Sequence, residues 1–254
     1  MRKPEAHIVP IFGVPFNAIS EVDTVQRIRY ALCNDERLWI ATANVDYVMR
    51  ARRNPAFSKL LASGPDLIVP DGVPILWAAR LQNTALAGRV NGTDLVWHCA
   101  RLSAETRRPI ALVGNAPNIA HAAALRLQQF APGAKVIAIP TPDPLTASAS
   151  LSIVDCLQQI QLGMLLVGLN TQKQENWINA YWPTTQIPVV IGVGGSFDLV
   201  SGHLLRAPQW MQRSGLEWLY RLALEPKRLW RRYLLDDAPF VWLCLRAALR
   251  RMNQ

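Results

Sequence analysis

The chain has 254 residues, half of them apolar, with 14 Gly and 18 Pro spread throughout and a formal net charge of +9. That length can bury a sizeable core, and the composition excludes a disordered or low-complexity protein. No apolar run reaches the ~18 residues that a membrane span needs, and the N-terminus lacks the apolar core of a signal peptide.

"HIVPIFGVPFNAI" predicts two strands around Gly13, a hairpin. Ser20 is placed to cap a helix running to about Leu32, with Asp23 supporting its first turn. "LWIAT" (Leu38–Thr42) reads as a strand, followed by a helical stretch from about Asp46. "DLIVP" (Asp66–Pro70) is another strand, ending at Asp71-Gly72 before the helical "PILWAARL". "PIALVG", "KVIAI", "MLLVGL" and "PVVIGV" are further buried-strand candidates. Helices over Asn118–Phe130, Thr146–Gln161 and Lys173–Tyr181 follow the first three of them. Continuous apolar strands alternating with helices predict an α/β fold, a Rossmann-like, mostly parallel sheet covered on both faces, preceded by the hairpin.

After Gly194-Gly195 the alternation stops, and Pro208–Arg213, Gly215–Leu224, Pro226–Leu234 and Ala238–Arg250 all read as helices. The sequence therefore divides into an α/β domain over 1–200 and a helical C-terminal appendage over 201–254. The appendage holds ten Lys/Arg against four acids, so an anionic partner is expected there. On a helical wheel Lys227, Arg228, Arg231 and Arg232 share one face, and Leu229, Trp230, Tyr233 and Leu234 the other. Aromatic-basic helices of this kind can lie in a lipid headgroup layer, or be ordinary packed helices with a solvated basic face. No nucleic-acid motif accompanies the charge.

The four Cys and four His form no metal-ligand spacing, so no metal site is expected. Asn91-Gly92-Thr93 matches a glycosylation acceptor, which means nothing without export.

Ligands of open α/β sheets bind beyond the carboxyl ends of the strands. There the sequence places Thr42, Asn44, Asp71, Asn115, Asn170 to Gln174, Ser196 and Asp198, each of which also suits a helix cap or turn. Asp71 is either an N-cap for the following helix or a general base with a carboxyl raised by burial. "GVGGSFD" can bring backbone close to a phosphate, but it lacks the dinucleotide GxGxxG order. No P-loop, no GxSxG elbow and no DxD pair is present. A bound diphosphate would therefore be neutralised by arginines and helix N-termini.

"TANVDYV", "VPDGVPILWAARL", "RVNGTDL", "VGLNTQKQENW", "GVGGSFDLVSG" and "RAPQWMQRSGLEWLYRLALEPKRLWRRYL" occur in this order. In these motifs, from the hairpin to about Tyr233, the chain resembles the WecG/TagA/CpsF glycosyltransferase family. The resemblance implies an inverting enzyme without a required metal or other cofactor. Such an enzyme moves a sugar from a UDP-sugar to an undecaprenyl-diphosphate-linked saccharide at the cytoplasmic, inner face of the bacterial membrane, for cell-surface polysaccharide synthesis. It implies Asp71 as the base on the acceptor hydroxyl, Thr42 near the reacting sugar and Asn44 beside it. Arg89, Gln174 and Asp198 would line the donor pocket, and Arg221, Arg228 and Arg231 would reach the donor diphosphate. The chain departs from the family pattern at Asn170-Thr171-Gln172, where a small residue and a Pro usually precede KQE. The donor sugar thus stays open between ManNAc and a hexose such as glucose, as do the acceptor saccharide and homo-oligomerisation. A different reading is a non-catalytic, membrane-surface nucleotide-binding protein in which Asp71 only caps a helix.

Overall fold

A computed structural model describes residues 6–169 and 171–252; Asn170, part of the loop that departs from the family pattern, lies outside them. Strands β1 (Ile8–Ile11) and β2 (Val14–Asn17) form the expected antiparallel hairpin, with Gly13 turning at a φ of 97° that favours glycine. Helix α1 (Glu21–Cys33) begins as expected. The Ser20 hydroxyl accepts from the Asp23 N–H at 3.1 Å and donates to the Asp23 carboxylate at 2.6 Å.

Six strands build one parallel sheet: β3 (Leu38–Ala43), β4 (Leu67–Pro70), β5 (Ile110–Gly114), β6 (Val136–Ile139), β7 (Met164–Gly168) and β8 (Val189–Gly192). Their order is β4-β3-β8-β7-β5-β6. Helices α2 (Val45–Arg53) and α3 (Pro55–Ser63) lead from β3 to β4. Helices α4 (Val73–Leu81) and α5 (Gly92–Thr106) lead from β4 to β5. The later crossovers are α6 (Pro117–Phe130), α7 (Ala147–Gln158) and α8 (Thr171–Tyr181).

Leu38 and Ile40 join a core with α1, α5 and α6, whereas Trp39 joins α7 and α8 on the opposite face. Both faces are buried, which is why the strands read as unbroken apolar runs rather than alternating ones. Ligands of open α/β sheets bind in the crevice beyond the carboxyl ends of the strands, and here β4, β3 and β8 set those ends side by side.

Three helices were not anticipated: α3, α5 and the short helix over Ser196–Val200. Asn54 ends α2 and immediately caps α3, its Oδ1 accepting from the Ala56 and Phe57 N–H groups at 3.0 and 3.2 Å. The one expected helical stretch from Asp46 is thus two helices meeting at Asn54-Pro55. Helix α5 was hidden because its apolar face follows a turn-like Asn-Gly rather than a strand.

Beyond β8 lie α9 (Ser196–Val200), α10 (Gln209–Arg213), α11 (Glu217–Leu224), α12 (Pro226–Arg231) and α13 (Pro239–Met252). The helix expected over Pro226–Leu234 gives way at Arg232 to a π turn over Arg232–Asp236. Arg232 lies 3.5 Å from Asp237, and Arg53 of α2 pairs with Asp236 at 3.0 Å, so this turn is pinned to the α/β part. Phe240 is buried edge-on against Phe12 of the hairpin, with ring centroids 5.5 Å apart.

One carboxylate is sealed in the sheet's α8 side. Glu175 is 0% exposed and accepts from Tyr47 Oη at 2.6 Å, Gln174 Nε2 at 2.9 Å and Trp39 Nε1 at 3.1 Å. Burial pushes its carboxyl up to about 7 from an ordinary 4.5, against the opposing pull of those three donors. A carboxyl raised on folding holds its proton more tightly in the folded state, so its contribution is full below about pH 4.5 and is lost as pH rises to about 7. Glu175→Gln should therefore gain ~3 kcal/mol, or roughly 6–12 °C in Tm, relative to the wild type between those pH values. Parallel pH dependences of the two melting temperatures would refute a proton held at Glu175.

Candidate active site

The crevice at β3 and β8 gathers its polar groups from three connections. Asp71 follows β4 by one residue, and its N–H extends the ladder to the Ala43 carbonyl at 2.8 Å. Gly72, at a φ of 133°, then turns the chain into α4. Helix α4 has no side-chain cap, so the N-cap reading of Asp71 is corrected: its Oδ1 instead accepts from Asn91 Nδ2 at 2.8 Å. Asn91 is held alongside because the Val90 N–H bonds the Pro70 carbonyl at 2.9 Å.

The first turn of α5 then presses against the crevice. A Cβ at Gly92 would lie 3.1 Å from Thr42 Oγ1 and 3.3 Å from Ser196 Oγ, so a larger residue here would push those hydroxyls aside. Thr42 is buried and donates to the Gly192 carbonyl at 2.7 Å, while Thr93 donates to Ser196 at 3.1 Å.

Charges close the crevice from the C-terminal side. Arg206 grips Asp94 through both Nη atoms, at 2.5 and 2.9 Å, and Arg89 pairs with Glu217 at 3.2 Å. Arg221 differs. Its Nε and Nη2 are buried without a hydrogen bond, and its nearest described anion is Glu225 at 3.8 Å. The guanidinium lies over the loop after β8, where a Cβ on Gly195 would stand 3.2 Å from Nη2 and 3.6 Å from Asp198 Oδ2.

Asp71 feels all of this. Burial is the largest effect raising its carboxyl to about 6, with Glu217 and Asp94 adding to it and Arg89 and Arg221 opposing it. Such a group is ionised at neutral pH and more basic than a solvated aspartate. A basic carboxylate beside buried guanidinium N–H groups without partners can take a proton from a hydroxyl and compensate an anion formed nearby.

The nine residues singled out in the sequence divide. Asp71, Arg89 and Arg221 interact within the crevice, with Thr42 at its floor and Asp198 beside the Gly195 loop. Asn44 caps α2, accepting from the Asp46 N–H at 3.0 Å, and lies 3.5 Å from Arg232. Gln174 is 1% exposed and sits behind the loop: its Oε1 accepts from the Gly194 N–H at 2.8 Å and its Nε2 donates to Tyr47 and Glu175. Arg228 is exposed and pairs with Glu225 at 2.6 Å, and Arg231 is exposed. Asn91, Asp94, Arg206 and Glu217 were given no role from sequence. Asn91 looked like a modification signal, and the three charges meet only through folding.

The sequence matches the Glycosyl transferase WecG/TagA/CpsF family over residues 9–254. It is also similar to N-acetylglucosaminyldiphosphoundecaprenol N-acetyl-beta-D-mannosaminyltransferase from Staphylococcus aureus strains MRSA252 and NCTC 8325 / PS 47. Each is 28% identical over 248 residues, covering 97% of this chain and 95% of the relative. With nearly its whole length matched, the chain belongs to the WecG/TagA/CpsF family of glycosyltransferases.

Proposed function

We propose that this glycosyltransferase moves a sugar from a UDP-sugar to an undecaprenyl-diphosphate-linked saccharide, with inversion and without a metal ion, in cell-surface polysaccharide synthesis. The observation that carries this reading is the Asp71 carboxylate, raised by burial, set near Arg221, whose Nε and Nη2 make no hydrogen bond and whose ion pair with Glu225 is long at 3.8 Å. In the proposed step Asp71 takes the proton of the acceptor hydroxyl as its oxygen bonds the anomeric carbon. The bond from that carbon to the phosphate oxygen breaks, and UDP leaves with the electron pair. Arg221 meets the charge growing on the diphosphate, and the exposed Arg228 and Arg231 extend that cationic side. Thr42 and Asn44 border the reacting sugar, Arg89 and Asp198 the donor, and Gln174 acts through the Gly194 loop it holds. The acceptor class and a ManNAc donor follow the activity named for the Staphylococcus aureus relatives. The departure at Asn170-Thr171-Gln172 keeps a hexose such as glucose as the competing donor.

Transfer is assayed with a panel of UDP-sugars and a short polyprenyl-diphosphate acceptor. Asp71→Asn keeps the shape of the side chain and should lose ~10²–10⁴ in kcat. Arg221→Gln should lose ~10²–10³, mainly in kcat, because the charge it meets develops in the transition state. A wild-type rate in Asp71→Asn would leave the nucleotide-binding reading in its place.

The same proposal places the enzyme on the cytoplasmic face of the membrane as a peripheral protein. Among the described residues no helix is long and apolar enough to cross a membrane. Yet among the described residues twelve of the eighteen exposed large hydrophobic side chains lie after residue 200, Trp210, Trp218, Trp230 and Trp242 among them. Basic residues flank them on α12 and α13, the pattern of a segment that sinks an apolar face among anionic headgroups. Trp230→Gln with Trp242→Gln should weaken co-sedimentation with vesicles containing anionic lipid at least tenfold, whereas neutral vesicles should bind poorly throughout. Equal binding of variant and wild type would remove these helices from the membrane contact.

A further inference from the structure

Asn91 belongs to a motif that reads as a glycosylation acceptor, but its side chain is only 8% exposed. Its Oδ1 accepts from the N–H groups of Thr93 and Asp94, at 2.9 and 3.3 Å, and from Arg206 Nη2 at 3.3 Å. Its Nδ2 faces Asp71 Oδ1 at 2.8 Å. Only one orientation of the amide satisfies these neighbours. Turned over, it would set an NH₂ against three donors and an oxygen against a carboxylate. The cap of α5 therefore dictates that an N–H points at Asp71.

We infer that Asn91 is the positioning residue of this site, a helix cap whose other end fixes the plane of the Asp71 carboxylate and leaves Oδ2 free for the acceptor hydroxyl. Among the described residues no hydrogen bond engages that second oxygen. Arg206 extends the chain of contacts into the segment after β8, because the guanidinium that grips Asp94 also touches Asn91 Oδ1. The inference rests on the proposed role of Asp71 as the base.

The charged groups acting on this pair are Arg89, Asp94, Arg206, Glu217 and Arg221. A donated hydrogen bond favours the ionised form of Asp71 and opposes the raising effects of burial, Glu217 and Asp94. Asn91→Asp retains an oxygen to cap α5 but replaces the donor with a second carboxyl, so one proton becomes harder to remove from the pair.

The acid limb of kcat/KM should then move up by about one pH unit or more in Asn91→Asp, with a thermal melt close to that of the wild type. Asn91→Ser keeps a capping oxygen but is too short to hold Asp71, and it should lose roughly tenfold in plateau kcat with the donor KM unchanged. Asp71→Asn is measured alongside. If it is inactive while the limb in Asn91→Asp stays in place, Asn91 has no positioning role and the base assignment survives. If Asp71→Asn transfers sugar at the wild-type rate, the base assignment falls and this inference with it.

Discussion

The site depends on how a partly buried carboxylate is kept charged. Asp71 sits at the end of an apolar strand, where burial alone would favour its neutral form. The α/β part supplies one donor, Asn91, and one cation, Arg89. The remaining opposing charge, Arg221, arrives on α11, outside the strand–helix alternation. Glu217 comes on the same helix and raises the carboxyl more than Arg221 lowers it, so the C-terminal helices help set the field at Asp71 without by themselves holding it charged.

The three arginines near Asp71 do not share one condition. Arg206 is spent on Asp94, and Arg89 on Glu217. Those pairs tie α5 to the segment before α10, and the loop before α5 to α11, but offer little net positive field. Arg221 keeps two buried nitrogens without hydrogen bonds. Leaving such groups unpaired costs about 1–3 kcal/mol each in a folded protein, a cost an incoming anion would offset. On the proposed reading the binding energy of the diphosphate is therefore directed at one guanidinium, held over the Gly194-Gly195 loop.

Much of the fold was legible because burial on both faces leaves continuous apolar strands, and because Ser20 carries a readable cap. The break between α2 and α3 was also written, as Asn54-Pro55, but a single helical period across it masked the signal. The base stood out as a lone carboxylate ending a strand, although sequence could not tell it from a cap. Distance in the chain hid the rest. Asn91 meets Asp71 across 20 positions, Arg206 meets Asp94 across 112, and Glu175 draws donors from Trp39 and Tyr47 across 136 and 128. Local pattern carries no trace of such pairings. Gln174 shows the limit most clearly: its place in a family motif suggested a pocket liner, whereas its hydrogen bonds all point into the protein.

That inward orientation ties the sealed Glu175 to the crevice. Glu175 fixes Gln174 Nε2, Gln174 Oε1 fixes the Gly194 N–H, and the next residue, Gly195, is the surface over which Arg221 lies. Glycine at both positions leaves the backbone open to a ligand, yet it also leaves that backbone with more conformational freedom to lose than any other residue has. A loop of this kind keeps one shape only if something outside it holds its N–H groups. The buried amide–carboxylate pair does so from the far side of β8, where its hydrogen bonds are shielded from water and from any ligand. Gly194 is thereby left open on its approach side and Gly195 faces only the Arg221 guanidinium and the Asp198 carboxylate, while the loop's conformation is set from behind.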